Sequence, residues 1–82
     1  MELKDTIDGM ISDDYKERFK AEYMQLTIRY NKLIDIIDKY DNNILEFELT
    51  CGIRMLKEQA RRMSNYAEIL RERARAEGIN LD

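Results

Sequence analysis

Apolar side chains recur along this chain at alternating steps of four and three. Phe19, Tyr23, Leu26, Tyr30, Leu33, Ile37 and Tyr40 form one such run, and Ile53, Leu56, Ala60, Met63, Ala67, Leu70 and Ala74 form a second. An α-helix repeats every 3.6 residues, so this spacing collects each run on a single stripe, the pattern of two helices packed along a shared seam. The spacing predicts one long helix over about residues 14–40 and another over about residues 51–77, with no proline to interrupt either.

The polar residues between the runs supply boundaries. Ser12, Asp13 and Asp14 are all good N-caps, and Glu17 stands three residues after Asp14, the spacing of a capping box. Asp41, Asn42 and Asn43 compete for backbone hydrogen bonds and tolerate left-handed conformations, so the chain is expected to turn there. Thr50 reads as the second N-cap, which would put Cys51 at the first helical position, and Gly78 reads as the residue just past the end. Arg71, Arg73 and Arg75 fall in the last turns, where the helix dipole favours cations. Leu3, Ile7 and Met10 suggest a short N-terminal helix ending near Gly9. Leu45, Phe47 and Leu49 alternate with Glu46 and Glu48, as in a strand. With no second strand to pair, the segment is expected to be an extended connector whose apolar side chains cap the hairpin.

The fold class expected is therefore all-α: two long antiparallel helices forming a hairpin, with a short N-terminal helix and the connector, in one domain spanning residues 1–82. The alanines at 60, 67 and 74 allow close approach to the bulky Phe19, Tyr23 and Tyr30. Met24, Ile28, Ile34 and Ile36 widen the apolar surface of the first helix beyond what one partner helix needs. Met55, Tyr66 and Ile69 do the same on the second. Scaffolds of about 80 residues bury too little area to stand alone without disulfides, metals or association. Symmetric association into a homo-oligomer through this leftover surface is the expected remedy.

Composition narrows the chemistry. The 82 residues contain no histidine and one cysteine, so a Ser-His-Asp triad, a Cys-His pair, the usual zinc sites and an intrachain disulfide are all excluded. Cys51 reads as a small residue in a turn, and most carboxylates fall between seam positions as solvated faces, with Asp35 and Lys39 or Glu58 and Arg62 spaced for i,i+4 pairing. Glu68 and Glu72 stand in the same way beside Arg71 and Arg75. The expectation is a protein that is not an enzyme and takes no cofactor. There is no membrane-length apolar run and no signal-peptide core at the N-terminus, so the chain is expected in the cytoplasm.

The net charge of −3 is unevenly spread: residues 1–50 carry 12 acids and 7 bases, residues 51–77 carry 7 bases and 4 acids. Either the halves pack and neutralise one another, or the basic half holds an anion site. Arginine predominates in that half, and its planar fork binds phosphate in a way lysine does not. Arg54, Arg61 and Arg62, with Tyr66 among the arginines, are candidate ligand residues, against the alternative of an ordinary solvated face. Arg61 and Arg62 flank the seam about 100° apart on the helical wheel. The negative net charge argues against duplex nucleic acid as partner.

The segments DDYKERFKAEYMQLTIRYNKLIDII and IRMLKEQARRMSNYAEILRERARAEGI, joined by an irregular apolar connector, resemble small helical-hairpin proteins encoded by bacteriophages. More distantly, AEYMQLT and NYAEILRERA are similar to the hairpin domain of anti-CBASS and anti-Thoeris sponge proteins, which sequester cyclic nucleotide signals of bacterial immunity. The resemblance implies a symmetric oligomer that binds a cyclic dinucleotide or trinucleotide between neighbouring hairpins, in the host cytosol. Tyr23 falls on the sponge tyrosine of the first helix. Lys39 lies one residue out of register with the sponge lysine, and Arg54, Arg61 or Arg62 would supply its arginine. The competing readings are a protein–protein interaction or inhibitor module and a purely structural coiled coil.

Overall fold

The computed structural model describes residues 1–82 and contains helices and no strands. A 3₁₀ turn at Leu3–Thr6 runs into α1 (Ile7–Met10), followed by the long helices α2 (Tyr15–Asp41) and α3 (Ile53–Glu77). α2 and α3 pack antiparallel, and the molecule measures 43 × 24 × 20 Å.

Seam residues build two apolar clusters along the hairpin. Phe19 and Leu26 meet Leu70, Ala74 and Ile79 at one end, with Tyr23, Met63 and Ala67 against them. Leu33 and Ile37 meet Ala60 nearer the other, flanked by Tyr30, Ile53 and Leu56. Leu70 is fully enclosed, whereas Tyr40, the last position of the first run, is 43% exposed because the chain turns away beside it.

Both long helices end in left-handed caps. At the end of α2, Asn43 adopts φ 60°, and the N–H groups of Asn43 and Ile44 donate to the carbonyls of Tyr40 (3.0 Å) and Lys39 (2.9 Å). At the end of α3, Gly78 adopts φ 71° and Ile79 N–H donates to Ala74 C=O at 2.8 Å, folding Ile79 into the core. The apolar residue after the cap glycine thereby joins the cluster that the seam began.

Several expected boundaries differ. Asp14 caps α2 by accepting from Lys16 N–H at 2.9 Å, but the capping box is not closed, because Asp14 N–H donates to Ser12 Oγ at 3.1 Å and Glu17 lies against Lys20 instead. Thr50 is not the cap of α3. That position belongs to Gly52 at φ 81° and ψ 155°, a conformation open to glycine and costly for other residues, so Cys51 is exposed and outside the helix. The short N-terminal helix does end beside Gly9, with α1 closing at Met10. A Cβ at Gly9 would come within 2.9 Å of Ala21 Cβ, so glycine is what lets α1 lie on α2. Phe47 does not cap the hairpin and is 57% exposed, although Leu45 and Leu49 are half-buried. Of the expected surface pairs, Asp35–Lys39 and Glu58–Arg62 form, while Arg71 and Arg75 make no ion pair with Glu68 or Glu72.

Candidate functional site

The acidic half of the chain neutralises little of the basic half. Of the ion pairs, Asp41–Lys57 at 3.1 Å alone joins α2 to α3; the others lie within one helix. α3 reaches α2 mainly through tyrosines. Arg71 Nη1 donates to the Tyr23 hydroxyl at 3.3 Å, Arg73 Nη2 donates to the Tyr15 hydroxyl at 3.0 Å, and Tyr66 donates to Glu22. Arg54, Arg71 and Arg75 have no carboxylate within 4.0 Å. Mutual neutralisation of the two halves is therefore slight, and the electrostatic condition for anion binding is retained along α3.

Tyr15 and Arg73 secure one end of the hairpin. The Tyr15 hydroxyl donates to Glu77 Oε1 at 2.7 Å, which favours the protonated phenol and raises its pKa, and the Arg73 guanidinium lies 4.9 Å from the centroid of the Phe19 ring. This arrangement fixes α3 against the start of α2.

Tyr23 is half-buried against the core and lines a groove of about 360 Å³ on the outer face of α2. Met24, Thr27, Ile28 and Asn31 form its length, and Lys32, Met1 and Leu81 complete it. Such a mixture of apolar wall and few polar groups is what small-ligand sites require. Lys32 has no acidic partner within 4.0 Å, and Arg71 holds the Tyr23 ring by its hydroxyl.

Arg61 and Arg62 stand on opposite flanks of the seam. Arg61 borders a depression with Tyr30, Ile34 and Lys57, while Arg62 shares a cleft of about 380 Å³ with Met55, Gln59 and Tyr66. Both bind Glu58: Arg61 through Nη2 (2.5 Å) and Nε (3.2 Å), Arg62 through Nε at 3.1 Å. The Arg61 fork, with Arg62 beside it, holds the Glu58 carboxyl below its ordinary pKa, and the Arg61 guanidinium is raised in turn.

The six residues expected to bind ligand thus do not converge within one chain. Arg62 and Tyr66 come together, Arg54 lies about two turns before Arg62, beside Cys51, Met55 and Glu58, and Arg61 lies on the other flank. Tyr23 belongs to the separate groove, and Lys39 is committed to Asp35 at 3.0 Å. Sixteen residues separate Lys39 from Tyr23, about 24 Å along the helix. Lys32 and Arg71 were not expected at the Tyr23 groove. The available signal was that Lys32 has no acid at i±4 and that Arg71 lies near Tyr23 in an antiparallel register.

No helix is long and apolar enough to cross a membrane. No curated protein and no solved structure matches the chain. One family model, Sequestin, matches residues 13–76, the two arms of the hairpin and the connector between them. The match covers well over half of the sequence, and the chain belongs to the Sequestin family.

Proposed function

We propose that the protein is a phage-encoded anti-defence factor that binds a cyclic dinucleotide or trinucleotide immune signal and sequesters it without chemistry, as a homo-oligomer in the host cytosol. The observation that carries this reading is the Sequestin match over residues 13–76. The name denotes sequestration, and the matched span includes Tyr23, Lys39, Arg54, Arg61, Arg62 and Tyr66.

The surface chemistry supports the same reading. A cyclic oligonucleotide carries one negative charge per phosphodiester and one π-face per base. Arg62 beside Tyr66, and Tyr23 with Arg71 and Lys32, each pair a cation with an aromatic ring. Binding by such groups needs no catalytic base or nucleophile.

Titration calorimetry with a panel of cyclic dinucleotides, cyclic trinucleotides and cyclic ADP-ribose isomers tests the proposal. Saturable heat is expected with at least one of them. Arg62→Ala or Tyr23→Ala should weaken that ligand roughly 10- to 100-fold, the weight of a charged hydrogen bond or a stacked base. Absence of heat with every member at protein concentrations above about 10 μM would overturn it.

A further inference from the structure

The outer face of α3 carries a second stripe that the hairpin leaves uncovered. Met55, Arg62 and Ile69 repeat at seven residues and lie within about 40° of one another on the helical wheel, with Tyr66 beside them. Met55 is 63% exposed, Ile69 53% and Tyr66 45%, three large side chains in water on one line of a helix.

The chain as a whole exposes more surface than a compact fold of its size, enough to accommodate an interface. The folded chain exposes 6193 Å², whereas a compact monomer of this mass exposes about 5,200 Å². The excess of roughly 1,000 Å² compares with about 800 Å² per partner in a standard specific interface. The elongated shape accounts for it: the radius of gyration is 14.9 Å, against about 12 Å for a compact chain of this length.

The stripe is also complementary to itself. Met55 and Ile69 each lie seven residues from Arg62, about 10 Å along the axis. A two-fold axis through Arg62, relating two antiparallel copies of α3, sets Met55 of each copy on Ile69 of the other. It sets Glu58 opposite Tyr66. The two Arg62 guanidinium groups meet at the axis, where the two Glu58 carboxylates, each bound to Arg62 at 3.1 Å and shared with Arg61, offset part of their charge.

We infer that a second copy of this chain covers the Met55–Arg62–Tyr66–Ile69 face of α3 in an antiparallel two-fold pairing centred on Arg62. The inference deepens the homo-oligomer part of the reading above and rests on that part; because the pairing encloses Arg62 and Tyr66, a ligand held by these two residues lies between the two copies.

Sedimentation equilibrium of the full chain from about 1 to 100 μM, the range where micromolar pairing is visible, tests it. The expected result is a species of at least two chains whose dissociation constant rises about tenfold or more for Met55→Asp and for Ile69→Asp, with helical circular dichroism unchanged. The double variant Met55→Asp/Ile69→Lys reads the register, because each new acid meets a new lysine only if residue 55 faces residue 69 across the axis. Its recovery of self-association relative to Met55→Asp supports the pairing. A single 9.9 kDa species throughout overturns both the pairing and the oligomer. An oligomer that neither single substitution weakens, or single-variant loss without recovery in the double, overturns the pairing and leaves the oligomer standing. Calorimetry decides the ligand separately in every case.

Discussion

Glu58 sits between two guanidinium groups, and its protonation reports on both. Its folded pKa lies below the ordinary 4.5 because of Arg61 first and Arg62 second. The interaction therefore favours the folded chain above the unfolded carboxyl pKa and is lost as pH falls through the folded value. Arg61→Ala should move the Glu58 titration up toward 4.5, and Arg62→Ala should move it less. Carboxyl carbon shifts followed against pH at low salt measure this, since exposed pairs are screened. An ordinary Glu58 pKa in the wild-type chain would mean that the fork does not form in solution. Gly52 offers a second residue-scale test. At φ 81° and ψ 155° nothing crowds a Cβ, so Gly52→Ala meets backbone strain alone, and urea unfolding should show a loss of about 1 to 3 kcal/mol.

At the scale of elements, the seam spacing predicts which residues matter and the turns decide where it stops. Leu70 is fully enclosed among Phe19, Leu26 and Ala74, so Leu70→Ala should cost about 2 to 5 kcal/mol, a large share of what an 82-residue chain has. Tyr40→Ala, at the same heptad position but 43% exposed, should cost less than about 1 kcal/mol in the same urea titration. Equal costs would show that the two ends of the seam are packed alike. Heptad periodicity made both long helices readable because core-facing spacing depends only on the helical repeat. Asn43 and Gly78 were readable for an equally local reason, the rarity of residues that accept positive φ. The start of α3 was not. Thr50 and Gly52 are both acceptable caps locally, and the backbone path out of the connector selects Gly52. The unclosed capping box has the same origin, because Ser12 and Glu17 compete for one N–H of Asp14.

At the scale of the whole molecule, binding groups were readable as residue types and not as a place. Tyr23 and Arg62 were named from chemistry and resemblance, but the groove around Tyr23 is completed by Met1 and Leu81, far apart in sequence, and the Arg62 cleft lies on a face whose cover is another molecule in the pairing inferred above. A sequestering protein has a consequence at this scale that an enzyme does not share. Ligand that binds only the folded state raises stability by RT ln(1 + [L]/Kd), about 2.7 kcal/mol at a hundredfold excess over Kd. For a small domain that corresponds to a rise in melting temperature of roughly 10 to 20 °C. The rise should persist for as long as the mixture is kept, because capture consumes nothing. Heating the saturated complex past its transition should then release the cyclic nucleotide chemically intact, one molecule for each that was bound, as chromatography of the supernatant would measure. A stabilisation that decays during incubation, or a linear or otherwise altered nucleotide in the supernatant, would show turnover and replace sequestration with catalysis.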